Sequence, residues 1–445
     1  MNIGDIIELN IEKLVYQGKG IARYGNDKLS VFVENVLPNE IVKAKITSIN
    51  KNYINAQLTE IIKQNPNRIK PFCPIYNACG SCQIQNTNYD YLIELKTSIL
   101  TEIFPDIKMM PVIKSPKTLE YRTKTQYPCS QTKNSKRILL GYYKNQSHEL
   151  TNIKFCPIQP DIINKIAQFI RDYFPYDCYD EKTSKGLLRH VLTRITTKED
   201  ILLTLVLNSN FIDEKLYDFS KKITLEFPQI KGVFANFNTS KGNKILGDKT
   251  KKISGDDYII EKLEDKFFKI GPTSFFQVNP YGAIELFNIV KNHVKENSTI
   301  LDAYAGVGAI GIWLKDRAKH ITYIEENKEA SILAKENYKL NKIENYEIFQ
   351  GDAKKYFLDF KKQNKTFDYV ILDPPRSGCE KEGLIKISDL AKNIIYVSCN
   401  PQTLKRDCEI LKEKGFEITY FQGVDLFPYT YHIESVMVLK HPKRS

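Results

Sequence analysis

The sequence predicts a multi-domain chain in three parts. A small β-barrel is followed by an α+β middle and a doubly wound α/β unit of Rossmann-like pattern. Three observations carry this reading. The first sixty or so residues alternate with period two between turn signals, residues 275 onward alternate strand with helix, and the middle mixes both patterns. The 445 residues provide for several domains, and 42% hydrophobic with 27% charged content is ordinary for a globular protein.

Residues 1–62 hold short alternating runs such as Val31-Phe32-Val33 and Ile41-Val42-Lys43-Ala44-Lys45-Ile46. Gln17-Gly18-Lys19-Gly20, Tyr24-Gly25-Asn26-Asp27 and Leu37-Pro38-Asn39-Glu40 separate them. Several short strands in so little chain predict an antiparallel barrel of the OB-like kind, a shape that often binds oligonucleotides.

Residues 63–270 form the predicted middle domain. It opens on Cys73, Cys79 and Cys82, a C-x5-C-x2-C spacing in a turn-rich segment. Core packing explains such a spacing poorly. Zinc needs a fourth ligand nearby, whereas an iron–sulfur cluster accepts one more Cys from elsewhere in the chain. Cys156 is the natural fourth, since proline follows it as it follows Cys73. The spacing favours the cluster and leaves zinc open. Tyr89 to Ile103 has helical spacing, and 188–195 and 201–207 read as strands. Between 108 and 144 there are nine Lys or Arg against one acid, Glu120, with Tyr121, Tyr127, Tyr142 and Tyr143 interleaved. Cations neutralise phosphates and aromatic faces stack bases, so this stretch reads as a nucleic-acid surface. The net charge of +12 agrees with a polyanionic partner.

Residues 271–445 form the predicted C-terminal domain. A helix from Ile284 to Val294 precedes strand 299–303, helix 308–317, strand 320–324, helix 328–340, strand 346–349, helix 353–360 and strand 367–372. Open sheets of this kind place ligands at the carboxyl ends of their strands. Asp302-Ala-Tyr304-Ala-Gly306-Val-Gly308 is a glycine turn after the first strand, without the spacing of a dinucleotide site. Glu325 ends the second strand, where a carboxylate can accept bonds from ribose hydroxyls. Asp352 follows the third, where a side chain can meet an adenine edge. Asp373-Pro374-Pro375-Arg376 ends the fourth. The next apolar run, Ile394 to Val397, ends in Ser398-Cys399-Asn400-Pro401 and offers a thiol.

Across its length the chain resembles the bacterial RNA uracil-5-methyltransferases that use S-adenosylmethionine. The resemblance rests on a TRAM-type barrel, the Cys73/Cys79/Cys82/Cys156 pattern, Tyr121-Arg-Thr-Lys-Thr-Gln-Tyr-Pro128 and Phe275-Phe-Gln277-Val-Asn-Pro280. Asp302-Ala-Tyr-Ala-Gly306, Asp373-Pro-Pro-Arg376, Ser398-Cys-Asn-Pro401 and Tyr431-His-Ile-Glu434 complete it. It implies that Gln277, Tyr304, Glu325 and Asp373 contact S-adenosylmethionine, with Asp352 nearby. It also implies that Cys399 is the nucleophile and Glu434 the base, and that the four cysteines hold a [4Fe-4S] cluster. Ala309 departs from members that carry Asn there. Barrel and cluster together point to 23S ribosomal RNA, with transfer RNA the alternative. Asp373-Pro-Pro also suggests an amino-methyltransferase, but Arg376 and Cys399 count against it. A non-catalytic RNA-binding or assembly protein would lack the thiol or the cofactor acid.

Nine cysteines without a secretory signal argue against a disulfide framework. Cys379 and Cys408 read as packing, and Cys129 and Cys178 carry no assigned role. No apolar run is long enough to span a bilayer, so no membrane partner is expected and the expected location is cytoplasmic.

Overall fold

The computed structural model describes residues 2–132, 134–144, 147 and 149–444. Six strands, Ile6–Asn10, Lys13–Val15, Lys19–Tyr24, Leu29–Val33, Ile41–Ile49 and Tyr53–Lys63, make the N-terminal sheet. Ile6–Asn10 lies at one edge and Lys13–Val15 at the other. Only Ile11 and Glu12 separate these two strands, so the edges are nearly one strand and the sheet closes on itself. Ile11 N–H donates to the Glu40 carbonyl at 2.9 Å, and Glu12 N–H to that of Ile21 at 2.9 Å. Alternation fills the interior with Ile7, Leu9, Val31, Val33, Val42 and Ile54. Two barrel residues, Leu14 and Leu37, join the core of the C-terminal domain instead.

The middle sheet has seven strands. In spatial order they are Leu150–Asn152, Ile138–Tyr143, Lys124–Gln131, Leu188–Ile195, Ile201–Leu207, Ile230–Phe237 and Lys249–Gly255. Helices Asp161–Tyr173 and Glu214–Glu226 pack their apolar stripes against it through Ile163, Ile170, Phe219 and Ile223.

The C-terminal sheet has eight strands, in the order Tyr346–Gln350, Ala318–Glu325, Ser298–Ala303, Phe367–Leu372, Ala391–Ser398, Glu434–Lys440, Glu417–Val424 and Met110–Ile113. The first five run parallel, and Glu434–Lys440 is inserted antiparallel. The outermost strand comes from far upstream. Residues 89–113, counted with the middle domain on sequence grounds, pack here because helix Tyr89–Ile103 buries Leu92, Ile93, Ile99 and Leu100 in this core. Likewise the hairpin Ile259–Leu263 and Lys266–Ile270 lies on helix Lys328–Leu340. There Lys269 N–H donates to Asn337 Oδ1 at 2.6 Å and Phe267 N–H to Asn341 Oδ1 at 3.0 Å.

Most C-terminal elements fall where the periodicity predicts, with two shifts. The helix expected from Ile284 starts at Pro280, because Asn279 caps it by accepting from Gly282 N–H and proline fits the first turn. The helix expected over 308–317 spans Ala309–Trp313. Leu314 to Arg317 close in a tight turn (Arg317 N–H to the Leu314 carbonyl, 2.8 Å) that feeds the next strand.

Register sets the geometry of the cleft. Ser398 pairs with Ser435, and Val424 with Glu434. Cys399, just past the end of one strand, and Glu434, at the start of its antiparallel neighbour, therefore meet at one sheet edge. Tyr304, Glu325 and Asp373 occupy that same edge, at or just past the ends of parallel strands. Among the described residues no helix is long and apolar enough to cross a membrane.

Candidate active site

The turn after Ser298–Ala303 is built on left-handed backbone. Tyr304, Gly306 and Gly308 have φ of 63°, 58° and 83°. A tyrosine in that region is uncommon outside strained or functional loops. Glu325 ties the turn down, its Oε2 accepting from Gly306 N–H at 2.8 Å and its Oε1 from Asn327 N–H at 2.7 Å. Beneath it lies Asp302, fully buried, whose Oδ2 accepts from Gly311 N–H at 2.9 Å. Burial pushes Asp302 up to about 8, and Asp373 and Glu325 add to the shift.

A cavity of about 980 Å³ opens in front of this turn. Tyr304, Glu325, Asp352 and Asp373 all line it, so the structure brings together four of the five residues implied to hold cofactor. Asp352 also caps helix Ala353–Lys362, accepting from Lys354 N–H at 2.9 Å. Gln277 is not part of this lining; it is half-buried in the loop before Pro280, while its neighbours Ser274 and Phe275 do line the cavity.

Cys399 occupies a strand-to-helix turn. Asn400 caps helix Pro401–Glu413 by accepting from Gln402 N–H at 3.1 Å. The Asn400 amide donates to the Arg376 carbonyl at 3.2 Å, and Thr403 Oγ1 donates to the same carbonyl at 3.3 Å. The Asp373–Arg376 turn and the thiol turn are thus tied together. Burial, then the charge of Glu434, pushes the Cys399 thiol up to about 11; Arg376 opposes this and Asp373 adds to it. Glu434 is itself pushed up to about 8 by burial and then by Asp373, with Arg376 opposing. Burial alone pushes Asp373 up to about 7. A resting thiol therefore faces two carboxyl groups that exchange protons near neutral pH, as acid–base chemistry requires.

Three contributors were not identified from sequence. Arg376 stood only as part of a motif, yet its charge acts on both Cys399 and Glu434. Asp302 stands in the sequence only as the opening residue of the motif Asp302-Ala-Tyr-Ala-Gly306, with no role of its own. Tyr16, from the barrel, lies beside the cleft with its ring 5.7 Å from that of Tyr431. No local pattern signals a residue supplied by another domain.

Cys73, Cys79, Cys82 and Cys156 all line one small cavity. Cys156 N–H donates to Asn164 Oδ1 at 2.9 Å and Cys73 N–H to Gln85 Oε1 at 3.2 Å, which fixes both loops. Burial, then the charge of Cys156, pushes Cys82 up to about 12. Among the described residues no group of three or more His, Cys, Asp or Glu closes around a single metal ion.

The basic stretch differs from its sequence reading. Tyr121 and Tyr127 are buried in two cores, where they donate to the Pro428 carbonyl at 3.1 Å and to Gln159 Oε1 at 2.7 Å. The Tyr142 ring is covered by the Arg122 guanidinium at 5.7 Å. These three rings are taken up by internal contacts, whereas Tyr143, the fourth of the interleaved tyrosines, is exposed. Several of the cations are paired: Lys114 with Asp90 at 2.7 Å, Lys117 with Glu120 at 3.6 Å, Lys136 with Asp177 at 3.6 Å, and Lys144 with Glu149. Lys133 lies outside the described residues.

Comparison with known proteins agrees with this geometry. A family model described as tRNA (Uracil-5-)-methyltransferase matches residues 88–442, and a TRAM domain model matches residues 2–59. An uncharacterized RNA methyltransferase of Oceanobacillus iheyensis is 35% identical over 453 residues, covering 99% of this chain and 97% of that protein. One from Clostridium acetobutylicum is 34% identical over 448 residues, covering 97% and 96%. Among solved structures, the tRNA (uracil-54, C5)-methyltransferase of Pyrococcus abyssi, in complex with S-adenosyl-L-homocysteine, superimposes with a TM-score of 0.77. It covers 97% of this chain and 100% of that one at 24% identity, a likeness of fold.

Proposed function

This chain belongs to the tRNA (uracil-5-)-methyltransferase family, and we propose that it methylates carbon 5 of specific uridines in 23S ribosomal RNA through a covalent Cys399 adduct. It is an S-adenosylmethionine-dependent RNA methyltransferase. The observation that carries the finer reading is the meeting of Cys399 and Glu434 at one sheet edge, beside the cavity lined by Tyr304, Glu325, Asp352 and Asp373.

Carbon 5 of uracil is a poor nucleophile until the ring is activated. Cys399 gives up its proton to a neighbouring carboxylate, and its sulfur adds to carbon 6. The electrons of the 5,6 double bond move into an enolate centred on carbon 5 and oxygen 4. S-adenosylmethionine would supply the electrophilic methyl group that carbon 5 takes, its sulfonium–methyl bond breaking to leave S-adenosylhomocysteine. Glu434 removes the hydrogen left on carbon 5, the double bond re-forms, and the sulfur of Cys399 leaves carbon 6. Glu325 is suited to the ribose hydroxyls and Asp352 to the adenine edge, with Tyr304, Asp373 and Gln277 completing the cofactor site. Carbon 6 is inaccessible within a stacked helix, so the uridine must be flipped into the cleft.

The four cysteines fit a [4Fe-4S] cluster better than zinc. What supports this is the C-x5-C-x2-C spacing with a distant fourth cysteine, together with the small cavity that all four line. We take the cluster as a tie between the segment after the barrel and the middle domain. The barrel and middle domain hold the RNA in the cytoplasm, and the C-terminal domain does the chemistry.

Barrel and cysteine set favour ribosomal RNA by resemblance. Transfer RNA is the second reading, favoured by the substrate named for the Pyrococcus abyssi structure. Mass-spectrometric mapping of 5-methyluridine in both RNAs from a strain lacking the gene decides between them. Loss from 23S ribosomal RNA supports the proposal, and loss from transfer RNA alone refutes it.

A further inference from the structure

The N-terminal barrel does more than border the catalytic domain. Its turn at Tyr16-Gln17-Gly18 is inserted against the segment that leads into Glu434. Gly18 has φ 75°, and a Cβ there would stand 3.3 Å from that of Tyr431, so a larger residue would push the turn away. Leu14, just before the turn, is buried in the catalytic core, and both Tyr16 and Tyr431 pack against that core. Gln17, Gly18 and Lys19 share one cavity wall with Arg376, Tyr431 and His432. The turn is therefore held in place from both sides.

Tyr16 lines a neighbouring cavity of about 1350 Å³ that runs along the barrel and takes in Gln402, three residues past Cys399. Its ring meets Tyr431 edge to face at 5.7 Å. It is half-buried, and its hydroxyl makes no hydrogen bond to another described residue. Burial, then Tyr431, then Cys399 push its hydroxyl up to about 12. The charges of Arg376, Glu434 and Cys399 all reach it.

Resting on the uridine reading above, we propose that Tyr16 is a base-positioning residue, its ring covering one face of the inserted uracil so that carbon 6 meets the Cys399 sulfur. The pocket is then complete only when the barrel is docked, which links RNA capture by the barrel to chemistry by the C-terminal domain. An aromatic ring suits the task, since it offers area at little conformational cost and tolerates no gap over a planar base.

The test uses the full-length enzyme with S-adenosylmethionine and 5-fluorouridine-substituted transcripts of 23S ribosomal RNA and of transfer RNA. Fluorine cannot leave carbon 5 as a proton does, so the methylated adduct persists. Wild type must first form the adduct with one transcript; if it does not, the uridine reading itself fails. Tyr16→Ala is expected to slow adduct formation at saturating RNA at least tenfold, with S-adenosylmethionine affinity unchanged. Tyr16→Phe, which keeps the ring, should remain within threefold of wild type. Lys43→Ala, on an exposed barrel face, controls for changes in the barrel itself. Wild-type adduct rates in Tyr16→Ala, or equal loss in Tyr16→Phe and Tyr16→Ala, would overturn the assignment to the ring.

Discussion

Lys96 and Asp425 meet at 2.7 Å with both side chains wholly buried. The same ammonium donates to the Phe427 carbonyl at 3.2 Å and to that of His432 at 2.8 Å, and Tyr89 donates to the other Asp425 oxygen at 2.8 Å. One side chain of helix Tyr89–Ile103 thus holds the segment that ends in Glu434. Burial pulls the pKa of Lys96 down, and Asp425 opposes the shift. Removing one partner of a buried pair strands the other charge, at a cost of about 3–5 kcal/mol. Lys96→Met is expected to lose that much in urea unfolding followed by circular dichroism. A loss under about 1 kcal/mol would mean that the pair does not hold the segment.

Glu434→Gln should have two separable effects. The amide cannot take the carbon 5 proton, so with unmodified RNA and cofactor a covalent protein–RNA band should build up on a denaturing gel. It also removes a negative charge that disfavours the thiolate. The Cys399 pKa should then fall below about 11, with alkylation by iodoacetamide rising at lower pH. Arg376→Met removes the opposing charge and should move the alkylation profile the other way. In the wild type, Asp373 and Glu434 titrate near 7 and 8, so single-turnover methylation should accelerate from pH 6 to 9 as they become able to accept protons. A rate that falls over that range contradicts their role.

The C-terminal α/β order was legible in the sequence because its strands are short apolar runs and its helices keep a 3.6-residue period. Helix Lys328–Leu340 and strand Phe367–Leu372 fall on their predicted bounds. Glu325, Asp352 and Asp373 were legible because each stands at or just past the carboxyl end of a strand, whereas Glu434, at the start of one, came only from the motif Tyr431-His-Ile-Glu434. Relations between distant segments were not. Met110–Ile113 is too short to show alternation, and nothing local announces that it pairs beyond Glu417–Val424. Lys96 falls on the apolar face of its helix, between Leu92, Ile93, Ile99 and Leu100, but nothing local announces Asp425 as its partner. Tyr121 and Tyr127 sit among cations that suggested an exposed face, yet each points into a core.

The glycine turn allows a steric test. A Cβ at Gly308, where φ is 83°, would approach Tyr338 Cε2 to 2.8 Å, and Tyr338 is fully buried with little room to retreat. Gly308→Ala should destabilise the fold by about 1–3 kcal/mol and weaken S-adenosylmethionine binding at least tenfold by calorimetric titration. Unchanged affinity would separate this turn from the cofactor site.

The cysteine cavity predicts its own analysis. Protein purified without oxygen should be brown and contain four iron and four sulfide per chain. Cys82→Ser should lose both along with the visible absorbance. Stoichiometric zinc without sulfide would contradict the cluster.

The central claim is that Cys399 bonds to carbon 6 of the target uracil. Its most direct test is tandem mass spectrometry of the nuclease- and protease-digested complex formed with 5-fluorouridine RNA. The account predicts a single modified peptide, carrying a methylated fluorouridine residue on Cys399, and none from Cys399→Ala. The same adduct on another cysteine, or normal methylation by Cys399→Ala, would contradict it.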